Sequence, residues 1–133
     1  NVPMIISGNQ VKRFNQDENA LINTTDLFAT ITELCGINNQ NIHDSKSFVS
    51  LLTSNFNSNS RDYIYSEIGN ENYTIRNSTH KYIRFENGNE ALFNLNNNPF
   101  EFPNLLNTNQ LPLSELNNLN KNELINMVEK IRN

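Results

Sequence analysis

Cysteine is almost absent from this chain of 133 residues: it occurs once, at Cys35. One thiol excludes an internal disulfide and says little about redox compartment. Basic residues are also few. Ten Lys and Arg stand against 14 Asp and Glu, for a net charge of -4. Nucleic acid and anionic membrane both attract basic surfaces, so neither is an expected partner. No apolar run approaches the roughly 20 residues of a membrane span. The longest, residues 2–6, is strand-sized. No basic n-region or long apolar h-region is legible, so no signal peptide is read. The start at Asn1, directly ahead of a strand pattern, reads as a processed or trimmed chain. No internal repeat is visible.

What is abundant is asparagine, about a fifth of the residues. Such bias can mark a disordered tract. Here the asparagines are interleaved with periodic apolar residues, and 36% of the chain is hydrophobic. That suffices for a modest core, so biased genome composition is the simpler explanation. N-x-S/T matches begin at Asn23, Asn72 and Asn77, but at this Asn density they arise by chance.

The apolar pattern predicts elements in order. Residues 2–7 (VPMIIS), closed by Gly8, fit a strand buried on both faces, as in a parallel sheet. After a polar loop comes a helix, with Thr24 or Thr25 as its cap and Asp26 in its first turn. Leu27, Phe28, Ile31, Leu34 and Cys35 share one face of it, so Cys35 is expected in the core rather than as a nucleophile. Gly36 follows the C-cap. Residues 38–46 read as a loop, residues 47–52 as one or two helical turns, and residues 55–61 as another loop. The period then changes to two. Residues 63–68, 73–76, 81–85 and 91–95 read as strands, with Asn87-Gly88 as a turn at which both residues tolerate positive φ. A last helix is expected from an Asn120 cap, with Glu123 completing a capping box and Leu124, Met127, Val128 and Ile131 as its stripe. The fold class is α+β: the end of an α/β sheet (strand plus helix), then a small antiparallel sheet of three to four strands packed with a C-terminal helix.

These landmarks resemble the C-terminal region of the sulfatase family, within the alkaline-phosphatase-like superfamily. VPMIISG is similar to that family's VP-hydrophobic-G strand. TTDLFATITELCGI resembles its s-T-D-L-x-P-T helix, and HDSKSFVSLL its D-G-x-S-f-x-p-l-L segment. YIYSE, TIRNSTHKYIRF and ALFNLNNNPFEFPNLLN resemble its following strands. In the last, Asn94 and Asn98 stand where the family has aspartates, while Pro99, Glu101, Asn104 and Leu105 remain. Ser45 stands where Gly is usual, and Asn9-Gln10 where Pro-Gly is common. The resemblance implies that residues 1–53 end a catalytic α/β domain and residues 62–133 form a small C-terminal subdomain. It implies a parent enzyme that cleaves anionic sulfate esters with formylglycine and calcium, a pairing suited to a negatively charged transition state. Many members of that family are exported, to periplasmic, secreted or lysosome-like compartments, but the compartment of this chain is not legible in its sequence.

The nucleophile motif C/S-x-P-x-R does not occur, since Cys35 is followed by Gly-Ile-Asn-Asn. No catalytic or metal-ligating residue is assigned, and no cofactor is expected on this piece. His43 reads as a loop residue. The upstream catalytic domain is the expected partner, and this piece alone is expected to be inactive, completing the fold and walling the pocket. Glu67, Arg76, His80 and Lys81 are the candidates for substrate contact, because Arg and Lys at strand ends can bind an anion. Against that stands a role as solvated surface or in interdomain ion pairs. Two other functions remain open: a phosphate or phosphonate ester hydrolase of the same superfamily, and a stand-alone non-catalytic binding module. The both-faces-apolar strand argues against the module, since an unpaired strand of that kind invites aggregation.

Overall fold

The computed structural model describes residues 3–37, 44–53, 61–69, 71–107 and 112–133. The loop readings for residues 38–43 and 55–60, and His43 with them, lie outside these. The chain divides into two units, Asn1–Arg61 and Asp62–Asn133.

In the first unit, helix α1 spans Asp26–Leu34 and the short helix α2 spans Val49–Thr53. At the end of α1 the Gly36 N–H bonds to Glu33 O at 2.9 Å, and Ile37 N–H to Thr32 O at 2.9 Å. This double closure requires the left-handed backbone that Gly36 adopts, with φ of +74°. Val11, Leu21, Phe48 and Leu51 are buried. Of the strand predicted over residues 2–7, the described part, residues 3–7, is not in a strand. Residues 3–7 are exposed and carry no strand pairing. A strand apolar on both faces needs a strand on either side. Among the described residues, this unit offers only the isolated bridge between Leu21 and Arg61.

The predicted core face of α1 is only partly inside: Leu27 and Leu34 are half-buried. Phe28 and Ile31 are 54% and 57% exposed, whereas Asp26 and Thr30 are 1% and 3% exposed. Cys35 is exposed, not packed in the core. The polar residues go inside because each finds partners there. Thr30 Oγ1 donates to Asp26 O at 2.7 Å and accepts from Phe48 N–H at 3.1 Å.

The second unit is a four-stranded antiparallel meander: β1 (Ile64–Ile68), β2 (Asn72–Arg76), β3 (His80–Arg84) and β4 (Glu90–Asn94), in spatial order β1-β2-β3-β4. The register pairs Tyr65 with Ile75, Ile75 with Tyr82, and Tyr82 with Leu92. Side chains alternate across a sheet, so these four share one face. Helix α3, Glu115–Arg132, covers that face. Ile75, Tyr82, Leu92, Leu124 and Val128 form the buried cluster there. The predicted stripe is right for Leu124 and Val128, while Ile131 is 39% exposed. The predicted start is not. Ser114 caps α3, its hydroxyl accepting from Asn117 N–H at 3.3 Å. Asn120 lies inside the helix, and its side chain donates to Leu116 O at 2.9 Å. At the β3–β4 turn only Gly88 takes positive φ, at +83°; Asn87 instead uses its side chain to accept from Asn89 N–H at 3.0 Å.

Candidate functional site

The asparagines after β4 act as backbone acceptors. Asn94 Oδ1 accepts from the N–H groups of Asn96 and Asn97, at 3.1 and 3.2 Å. Asn98 Oδ1 accepts from Phe100 N–H at 2.9 Å. These are Asx turns, which need a carbonyl-type oxygen two atoms from Cα and not a charge. Aspartate and asparagine both supply it. Asn94→Asp and Asn98→Asp are therefore expected to shift stability by less than about 1 kcal/mol, as read by urea denaturation. A larger loss would show that the amide nitrogen matters.

Asn104 is tied down more firmly. Its Oδ1 accepts from Leu92 N–H at 3.0 Å and Leu106 N–H at 3.1 Å, and its Nδ2 donates to Glu90 O at 3.3 Å. It fastens the loop to β4, beside the Leu105 N–H bond to Leu92 O at 2.9 Å.

Each of the four candidate residues has intrachain partners. Lys81 Nζ donates to both oxygens of Glu101, at 2.9 and 2.8 Å. Glu101 sits at φ of +60°, a left-handed conformation uncommon for this residue type. His80 is buried. Its Nε2 lies 2.9 Å from Asn117 Oδ1 and its Nδ1 2.8 Å from the Thr79 hydroxyl, so it joins β3 to α3. Arg76 Nε donates to Asn77 O at 3.3 Å. Glu67 accepts from the Tyr65 hydroxyl and, at 3.0 Å, from Arg132. These two hold its carboxyl below the usual range. Arg132 also lies over the Tyr73 ring, 4.5 Å from its centroid.

The register brings Arg76 and Lys81 together as cross-strand partners. By alternation they lie on the sheet face opposite α3. Glu67 and His80 lie on the α3 side, so the four do not form one cluster. On that same side Glu90 receives Lys121 at 2.6 Å and Arg84 at 2.7 Å. The Lys121 bond above all holds its carboxyl low. Burial and the Glu90 carboxylate push the Tyr82 hydroxyl up.

In the first unit, reasoning from the sequence missed the Asp26–Arg61 pair. Asp26 accepts from Asn23 N–H at 2.7 Å, Lys46 N–H at 2.8 Å and Arg61 Nε at 2.8 Å. Arg61 Nη2 donates to the other Asp26 oxygen and to Asp44 O. Burial alone would raise the Asp26 carboxyl, but Arg61 and the two backbone N–H groups outweigh it and hold it low. The legible signal was an acidic residue at a helix start, which reads first as a dipole effect.

Among the described residues, no three His, Cys, Asp or Glu side chains are grouped as a metal ion requires. The donors among the described residues do not fit calcium, and Cys35-Gly36-Ile37 lacks the C/S-x-P-x-R pattern of a formylglycine precursor.

Residues 1–130 match the family model described as N-sulphoglucosamine sulphohydrolase, C-terminal. The chain belongs to this family. A search of curated proteins finds no relative. Among solved structures, a 2-O GAG sulfatase is similar with a TM-score of 0.76 and 21% identity. That match covers 96% of this chain and 29% of the other. A protein from Bacteroides thetaiotaomicron, provisionally described as a sulfatase, is similar at a TM-score of 0.63 and 22% identity, covering 79% and 24%. At such identities the likeness establishes the fold. This sulfatase C-terminal region thus spans less than a third of the solved chains it resembles.

Proposed function

We infer that this chain is the C-terminal part of a sulfatase-type hydrolase, that its upstream part carries formylglycine and calcium, and that the present part seats on it and walls the pocket. The observation that supports this most is the exposed apolar pair on α1. Phe28 and Ile31 face outward, and in the same unit Met4, Ile5 and Ile6 are 42%, 95% and 38% exposed. Isolated exposed hydrophobics are ordinary, but apolar residues in a helical stripe and a strand-like run read as a surface made to be covered. An upstream α/β domain would supply both the strands that residues 2–6 need and the cover that α1 needs.

The natural full-length protein is expected to release sulfate from a sulfate monoester, and residues 1–133 alone are not. Phe28→Asp with Ile31→Asp in the full-length protein is expected to lower its melting temperature, with little effect on the isolated chain, where both are already exposed. Phosphate release without sulfate release would favour the phosphoesterase reading. An equal effect of the substitutions in both settings would remove the docking argument.

Arg76 and Lys81 are the residues proposed to face the anionic substrate. Two adjacent cations on one sheet face suit a sulfate group, although Glu101 compensates one of them. Lys81→Ala in the full-length protein is expected to raise KM for the sulfate ester about tenfold, with kcat less affected. A lowered melting temperature with unchanged KM would make Lys81 a framework residue that holds Glu101.

A further inference from the structure

The β3–β4 turn and the loop after β4 border an open surface concavity lined by Phe85, Asn87, Asn89, Glu90, Asn104 and Asn107, of which only Glu90 and Asn104 are half-buried. We propose that it binds a neutral pyranose unit of an oligosaccharide. Its lining is four amides, one carboxylate and one aromatic residue. No Lys or Arg lines it. Glu90 is already engaged by Lys121 and Arg84. An anion would find no charge partner here, and a cation would compete with two that are in place.

Side-chain amides carry a donor and an acceptor side by side. That pair matches vicinal sugar hydroxyls, each of which donates and accepts, and it matches an N-acetyl group as well. Among the described residues, the side chains of Asn89 and Asn107 have no hydrogen-bond partner, nor does Asn87 Nδ2. The remaining two are occupied: Asn104 by its three bonds, and Asn87 Oδ1 by Asn89 N–H. Phe85 is 41% exposed, enough to offer an apolar surface to the C–H face of a sugar ring.

The backbone that carries these groups is tied by turn hydrogen bonds. Phe85 N–H bonds to Asn89 O at 2.9 Å, Gly88 N–H to Phe85 O at 2.9 Å, and Asn107 N–H to Asn104 O at 3.1 Å. The backbone is thus ordered before binding, while the exposed Asn89 and Asn107 side chains give up rotamer freedom, which keeps the expected affinity weak. This site is independent of the sulfatase reading, because its ligand is neutral and its test needs no turnover.

The test is saturation-transfer NMR and calorimetry on the full-length protein with three probes: maltotriose, chitotriose and a sulfated heparin tetrasaccharide. Maltotriose or chitotriose is expected to bind with Kd near 1 mM, as a few exposed hydrogen bonds and one ring contact allow. The variant Asn89→Ala with Asn107→Ala removes amides that hold nothing in the fold, so its melting temperature is expected to match the parent's. Its affinity is expected to fall about tenfold, the usual yield of two hydrogen bonds. No binding of either neutral probe would overturn the proposal. So would neutral-probe binding that survives this variant, or binding of the sulfated probe alone.

Discussion

Arg61→Ala is expected to destabilise the first unit by about 3–5 kcal/mol, the typical penalty for stripping the partner from a buried charge. Asp26 is left 1% exposed with only the Asn23 and Lys46 N–H groups to hold its charge. The loss extends beyond the pair, since Arg61 also donates to Asp44 O and ties residues 44–46 to the start of α1. Urea denaturation followed by circular dichroism reads the effect. Asp26→Asn in the Arg61→Ala background is expected to recover part of the loss, because a neutral amide needs no counter-ion. A loss under about 1 kcal/mol would put the pair among exposed ion pairs.

The sign of the pH dependence follows from the same contacts. The folded carboxyl of Asp26 titrates below its ordinary value. Its contribution is therefore fully present above about pH 4, the unfolded value, and is lost as pH falls through the folded one. Without Arg61 that depression disappears. The stability gap between parent and variant is expected to narrow below about pH 4, as Asp26 protonates in the parent too. A gap that stays constant to pH 3 would mean that the guanidinium acts by packing and not by charge.

Asn104→Ala is expected to cost the second unit about 2–4 kcal/mol, because it strands two N–H groups and one carbonyl in partly buried surroundings. Asn104→Asp is expected to cost less, since an oxygen still accepts from Leu92 and Leu106 while only the bond to Glu90 O is lost. Faster amide exchange at Leu92 and Leu106 in the alanine variant would locate the damage. A loss equal to that of Asn94→Asp would show that the Leu105–Leu92 bond alone holds the loop.

The contrast between the two units shows what can be read from residues alone. All four strands of the second unit fall within one residue of the predicted ends at every bound, because a period of two, Gly88 and β-branched or aromatic residues all point one way. The start of α3 was missed because Leu116-Asn117-Asn118-Leu119 looks like loop composition. Its cap is Ser114 with Asn117 at the third position, where a capping box would carry Glu or Gln. In α1 the helix is legible but its inside is not. Periodicity identifies an apolar face, not what covers it. A buried carboxylate was legible only with Arg61, 35 residues further on. The four candidate residues were recognisable as polar groups at strand ends, but the distant partners of three of them, Glu101 for Lys81, Asn117 for His80 and Arg132 for Glu67, lie 20 to 65 residues away.

The order β1-β2-β3-β4 has a kinetic consequence. Each strand pairs only with its neighbours in the chain, so every step of sheet growth closes a short loop, and loop-closure entropy rises with the length closed. The slow, long-range searches that delay sandwiches and parallel sheets are absent from this meander. Among the described elements, the distant partner it awaits is α3, whose residues Leu124 and Val128 complete the cluster around Tyr82. The hairpins are therefore expected to form first and α3 to lock onto them, with the sheet acquiring its shape before any covering surface arrives.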